Sequence, residues 1–198
     1  MFFDRTIFVV LYNHAMPEYR WSSIQDGTFF FTVVTYKRLP ILTSSVARSI
    51  LHEAWQNVNQ RFPFVTDAIC LLPEHIHCIW TLPEGDANYG LRWGEIKKCF
   101  TKNYLKQIGT AEQSTASRLT RGEAAIWQRR FWEHTSRDLD DYHRHLDYIH
   151  YNPVKHGLVR SVADWSWSSF HRYVKMGYYI QDWGSAVEEQ NSEGTFGE

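Results

Sequence analysis

His75 and His77 stand two residues apart in Leu71-Leu72-Pro73-Glu74-His75-Ile76-His77-Cys78-Ile79-Trp80, a run of apolar and β-prone residues. In a β-strand, side chains at i and i+2 leave the same face. The spacing therefore sends both imidazoles to one side, and Ile76, Cys78 and Trp80 to the other. Two neutral imidazoles on one sheet face make half of a metal site. Taken alone, a His-x-His is more often one satisfied buried histidine beside an exposed one. The other half of the site has to come from elsewhere in the chain.

It comes about seventy residues later. Asp141, His145, Tyr148 and Asn152 fall at i, i+4, i+7 and i+11 of a predicted helix. Those positions share one helical face, beside an apolar stripe of Leu139, Tyr142, Leu146 and Ile149. If that face lies on the strand face bearing His75 and His77, two imidazoles and the Asn152 carbonyl converge, with Tyr148 beside them. Phenol is a poor nucleophile at neutral pH, its pKa being ~10. A divalent metal on a scissile phosphate orients and polarises phosphorus, so that a tyrosine oxygen can attack in line and hold the DNA covalently. The plainer alternative makes Tyr148 a surface residue and Asn152 a helix C-cap.

The elements that must position these residues are legible in outline. Thr28–Thr35 is aromatic and β-branched, hence a strand. Thr43-Ser44-Ser45 offers N-caps for a helix to about Gln60. Strands over 64–72 and 76–82, joined by Pro73-Glu74, form a hairpin. A second helix covers 89–107, and a Ser/Thr-rich loop covers 109–122. Acids Asp138, Asp140 and Asp141 crowd the first turn of the helix carrying Tyr148, where the dipole favours them. Asn152-Pro153 is expected to end it. Strand, helix, strand, strand, helix is an α+β pattern, and one more strand makes it ferredoxin-like: an antiparallel sheet with helices on one face. The sequence does not locate that fourth strand.

The net charge is −1 over 198 residues, but its distribution is uneven. Between Arg92 and Arg130 nine bases face three acids, and from Gln181 to Glu198 five acids face no base. A basic middle suits a polyanion. Candidate DNA contacts are Lys97, Lys98, Lys102, Arg129 and Arg130, with Trp127 and Trp132 as stacking partners, because single strands bind through phosphate contacts plus base stacking. Three cysteines without Cys-x-x-Cys spacing read as free thiols in a reducing, cytoplasmic compartment. No stretch approaches the ~20 apolar residues of a membrane span. Met16 is a plausible start. Residues 1–15 are then a non-native or disordered extension, 16–183 one catalytic domain, and 184–198 an acidic, disordered tail.

Four segments together resemble the REP-associated tyrosine transposases, single-tyrosine relatives of the HUH-class insertion-sequence transposases. They are Leu72–Gly85, with its His-x-His; His145–Gly157, with Tyr148; Trp127–His134; and Glu18-Tyr19-Arg20-Trp21 ahead of Gly27-Thr28. The resemblance spans about residues 16–183. It implies a ferredoxin-like fold with the histidines on a central strand, and Mg²⁺ or Mn²⁺ as cofactor. It further implies a 5′-phosphotyrosine intermediate that leaves a free 3′-OH. The implied partner is single-stranded or hairpin DNA from repetitive extragenic palindromes, handled by a monomer or homodimer. By position, His75 and His77 are the implied metal ligands and Tyr148 the nucleophile. Asn152 stands where many relatives have glutamine as third ligand, and Arg20 joins the DNA contacts. Imidazole ligands by themselves suit zinc at least as well as magnesium. Two other readings stay open: a DNA-binding module of the same fold without chemistry, and a metal-dependent hydrolase of small substrates.

Overall fold

The computed structural model describes residues 27–109 and 124–185. The expectations for residues 1–15, for Arg20, for most of the 109–122 loop and for the tail beyond Ser185 lie outside the described residues.

Strand β1 (Thr28–Val34), helix α1 (Ser45–Arg61), strands β2 (Val65–Leu71) and β3 (His75–Thr81), helix α2 (Tyr89–Ile108) and strand β4 (Trp132–Thr135) follow the split ferredoxin-like order. The sheet runs β2-β3-β1-β4, with every pair antiparallel. Side chains alternate along each strand, so the sheet separates two cores. On one side, Phe29, Phe31, Val33, Ile76, Cys78 and Trp80 meet α1 and α2. There the indole of Trp80 stacks on Trp93 at 4.4 Å and meets Trp55 edge-on at 5.2 Å. Side chains of this size, fully buried, each contribute ~1.5–3 kcal/mol or more. Ser44 caps α1 by accepting from Ala47 N–H at 3.2 Å, and Asn88 caps α2 by accepting from Leu91 N–H at 3.2 Å.

The other side carries Phe30, Ala68, Cys70 and Ile79, together with His75 and His77. It is covered by α3 (Leu139–Lys155) and α4 (Phe170–Lys175). Tyr142, Leu146 and Ile149 of α3 lie in this second core, so the apolar stripe read from the sequence is the buried one. Asp138 caps α3, accepting from Asp141 N–H at 2.8 Å.

Asn152-Pro153 does not end α3, which runs on to Lys155. Proline this close to a helix end removes only one intrahelical donor, and the following turn takes up the last carbonyls. Gly157 N–H donates to Val154 O at 2.9 Å and Leu158 N–H to Pro153 O at 2.9 Å. Gly157 adopts φ +66, the left-handed conformation this closing motif requires. The helix therefore presents Asn152 from its interior, not from its cap.

Strand β4 is the element the sequence left unplaced. It is four residues long, has no Val or Ile, and among the described residues pairs with β1 alone. Among the described residues, no helix is long and apolar enough to cross a membrane.

The second core holds a tyrosine cluster. Tyr173 is fully buried, its hydroxyl donates to Asp67 O at 2.9 Å, and burial pushes its pKa up to about 12. Burial raises Tyr142 and Tyr178 as well. A folded-state value above the unfolded ~10 means that ionisation favours the unfolded chain. The stabilisation is complete below pH ~10 and lost as pH rises toward 12. Urea unfolding of the wild type is expected to weaken steeply over that window. Tyr173→Phe should make the slope shallower by about 1.4 kcal/mol per pH unit. Equal slopes would show that Tyr173 ionises in the folded protein.

Candidate active site

β3 begins at His75, directly after a tight turn closed by Leu72 N–H donating to His75 O at 2.9 Å. Both imidazoles then leave the same face, with their Nε2 atoms 3.0 Å apart. Each ring is held from behind. His75 Nδ1–H donates to Glu74 Oε1 at 2.9 Å. His77 Nδ1 shares a hydrogen bond with Thr32 Oγ1 at 2.9 Å, across the register that pairs Thr32 with His77. The Glu74 carboxylate makes Nδ1 the protonated nitrogen of His75, so its Nε2 carries a lone pair. Burial lowers the pKa of both rings, against the pull of Glu74 on His75 and reinforced at His77 by its neighbour. They are neutral at physiological pH, the form that binds metals.

The two Nε2 atoms lie within hydrogen-bond distance of each other, close enough that both could turn to one cation. The Glu74 carboxylate behind His75 is a usual outer partner of a ligating histidine, and the Thr32 hydroxyl holds the other ring. Asn152 is fully buried, and neither its Oδ1 nor its Nδ2 has a hydrogen-bond partner. An orphaned buried amide of this kind costs ~1–3 kcal/mol. Two imidazoles and an orphaned buried amide fit a divalent cation in chemical type, and Asn152 does not line the cleft described next.

A cleft of about 410 Å³ opens over the pair, lined by Thr32, Arg38, His75, His77, Arg130, Trp132, His145 and Tyr148 among others. The Tyr148 ring meets His77 at 5.1 Å between centroids, and Phe30 supports it at 6.0 Å. Lys155 Nζ lies 5.1 Å over the same ring. α3 thus lies on the histidine face and brings the Tyr148 ring to His77, the placement on which the sequence reading was conditional.

The structure divides the candidate DNA contacts. Arg130 and Trp132 line the cleft, and Trp132 is half exposed at 50 %. Arg129 is exposed beside them. Lys98 and Lys102 are exposed on α2, across the sheet from the histidine pair. Lys97 Nζ donates to Gln128 O at 3.1 Å and lies over the Phe131 ring, and burial lowers its pKa to about 8. Trp127, at 6 % exposure, belongs to the α1–α2 core and meets Phe100 edge-on. It is no stacking platform, and among the described residues these candidate contacts do not line one surface. Arg92, part of the basic run, is buried and paired with Asp86 at 2.7 Å.

Sequence reasoning missed Glu74, Thr32 and Arg38. Glu74 was adjacent to a candidate ligand and could have been found. Thr32 needed the strand register. A second cluster also emerged: His134, Asp141 and His145 bring donor atoms within 4.8 Å of one another and could hold a metal ion. Its atoms already have protein partners. The Asp141 carboxylate accepts from His134 Nε2 at 2.6 Å and Arg137 N–H at 3.1 Å, while His145 Nδ1–H donates to Asp141 O at 2.7 Å. Burial alone would raise the Asp141 pKa, but these hydrogen bonds outweigh it and hold the carboxylate below its ordinary range.

No protein-family model matches the chain. Individual relatives do. The REP-associated tyrosine transposase of Escherichia coli K12 is 45% identical over 175 residues, covering 88% of this chain and 94% of its own length. A Haemophilus influenzae protein given the same family name is 45% identical over 172 residues, covering 85% of this chain and 94% of its own. A solved REP-associated tyrosine transposase bound to a REP hairpin is 42% identical and covers 92% of this chain and 100% of its own, with a TM-score of 0.65. Identity of this extent, on a shared fold, shows that the chain belongs to the REP-associated tyrosine transposases.

Proposed function

We propose that this protein cleaves and rejoins single-stranded DNA beside REP-type hairpins, with Tyr148 as nucleophile. The observation that carries the reading is the Tyr148 ring against His77, whose Nε2 faces that of His75 at 3.0 Å. A hairpin-bound relative of the same fold supports the choice of DNA. Tyr148 Oη forms a bond to phosphorus while the bond from phosphorus to the 3′ oxygen breaks. The phenolic proton leaves to solvent and the 3′ oxygen takes one up, giving a 5′-phosphotyrosine and a free 3′-OH. No water is consumed, so the 3′-OH of another strand can reverse the step and join.

His75, His77 and Asn152 are the residues that would hold Mg²⁺ or Mn²⁺. Such an ion supplies Lewis-acid polarisation of the phosphate and neutralises developing charge. Glu74 and Thr32 fix the two rings, and Phe30 and His77 fix the tyrosine ring. Trp132 offers an exposed face for an unpaired base, and Arg130 a charge for the adjoining phosphate.

One gel tests the reading. The protein is mixed with Mn²⁺ and a labelled hairpin carrying a single-stranded flank, then denatured. A covalent adduct is expected. A shift seen only under native conditions would instead mark a binder without chemistry, and neither result would favour a small-substrate hydrolase. Binding should also weaken with salt, with a log–log slope near ~−0.7 per phosphate contact. Arg129→Ala with Arg130→Ala should make the slope shallower, whereas Lys98→Ala with Lys102→Ala should leave it nearly unchanged. If the lysine pair moves the slope as much as the arginine pair, the DNA path runs over α2 and not through the cleft.

A further inference from the structure

We propose that Arg38 binds a non-bridging oxygen of the scissile phosphate and is a catalytic residue of the strand-transfer step. The proposal rests on the tyrosine reading above. Lys37 and Arg38 adopt φ 52 and φ 53, and they are the non-glycine residues with positive φ among those described. L side chains rarely take that conformation, and two in succession persist only where the surroundings over-determine them.

Here they do. Thr35 is fully buried at the start of the turn. Its N–H donates to Glu74 O at 2.8 Å, and its hydroxyl lies 2.9 Å from Glu74 O and 2.8 Å from Leu39 O. Tyr36 N–H donates to Ile126 O at 2.8 Å and Arg38 N–H to Thr35 O at 3.1 Å. The turn is thus clamped to residue 74, immediately before the first histidine.

What this backbone delivers is a guanidinium at the cleft wall, with His75, His77 and Tyr148. Arg38 Nη1 lies 3.6 Å from Glu74 Oε1, the same oxygen that accepts from His75 Nδ1–H. That loose contact aligns Arg38 with the ring of His75 and spends little of its hydrogen-bonding capacity. Its side chain is 51 % exposed, and among the described residues no other hydrogen bond or ion pair engages it. A guanidinium has five donors in a planar fork that matches a phosphate. Donors fixed in advance toward developing charge are among the most effective catalytic groups in phosphoryl transfer. Arg130 also lines the cleft, but nothing comparable ties it to the histidines.

The test compares wild type, Arg38→Ala and Arg38→Lys on two hairpin substrates in Mn²⁺, with covalent adduct formation as readout. One substrate carries the natural phosphodiester at the cleavage site and the other an uncharged methylphosphonate. On the phosphodiester, Arg38→Ala should be slower by about 100-fold or more, with Arg38→Lys intermediate and hairpin affinity within about threefold of wild type. On the methylphosphonate, which has less charge to stabilise, the Arg38→Ala deficit should shrink at least tenfold. An equal deficit on both substrates would overturn the proposal, because it would mark a structural role. Arg38→Ala cutting the phosphodiester within threefold of wild type would overturn it too. If Arg38→Ala fails to fold by circular dichroism, Arg38→Lys carries the same comparison. Failure of the wild type itself to form an adduct would overturn the tyrosine reading, and this proposal with it.

Discussion

Tyr148→Phe is expected to reduce covalent adduct and strand cleavage to background while hairpin affinity stays within about tenfold, ~1.4 kcal/mol. The two effects separate because the substitution removes one oxygen and keeps the ring. Phenylalanine can keep the edge contact with His77 and the support of Phe30, at 5.1 and 6.0 Å in the wild type. Tyr148 is half-buried on α3 rather than part of the closed core, so the fold should tolerate the change. Denaturing gels report the adduct, and equilibrium binding reports the affinity. Cleavage surviving in the purified variant would mean that another nucleophile acts.

The second large effect is expected at the histidines. His75→Ala and His77→Ala should each cut metal-dependent cleavage by more than 100-fold, since losing even an outer partner of a metal ligand typically costs 10–100-fold. The two variants should differ in stability. His77 is packed between Thr32, Phe30 and His75, so its removal leaves a cavity and strips Thr32 Oγ1 of a partner. His75 sits at the strand's first residue, next to the half-buried Pro73-Glu74 turn and to His156. His77→Ala should therefore lower the melting temperature more than His75→Ala, while both lose cleavage. A single variant that cuts at the wild-type rate in Mg²⁺ would remove that histidine from the site.

Much of this arrangement was legible because it depends on periodicity. A period of two put both histidines on one face, and a period near 3.6 put Tyr148 and Asn152 on one side of α3. What periodicity could not resolve was tertiary. β4 exists because β1 offers an unpaired edge, not because Trp132-Glu133-His134-Thr135 has strong strand character. Trp127 and Trp132 looked alike in an aromatic, basic run. Their fates diverge because the chain bridges Thr35 at Trp127 and only then enters the edge strand. Trp127 thereby turns to α2, and Trp132 to solvent. Asn152-Pro153 read as a helix end because proline restricts the residue before it. That preference gave way to a closing turn supplied by Gly157. Arg38 was invisible for a similar reason: its backbone conformation is imposed by hydrogen bonds from distant segments.

The single sheet between two cores has an evolutionary consequence. The Trp55, Trp80 and Trp93 cluster lies on the face away from the histidine pair, and none of its residues lines the cleft. Substitutions at exposed cleft residues such as Arg130 and Trp132 therefore leave that tryptophan packing untouched. On the proposed reading, a descendant could lose the attacking oxygen through a single nucleotide change in the Tyr148 codon. It would keep Arg130 and Trp132 on the cleft wall. A binder without chemistry would then stand one mutational step from the active enzyme on this scaffold.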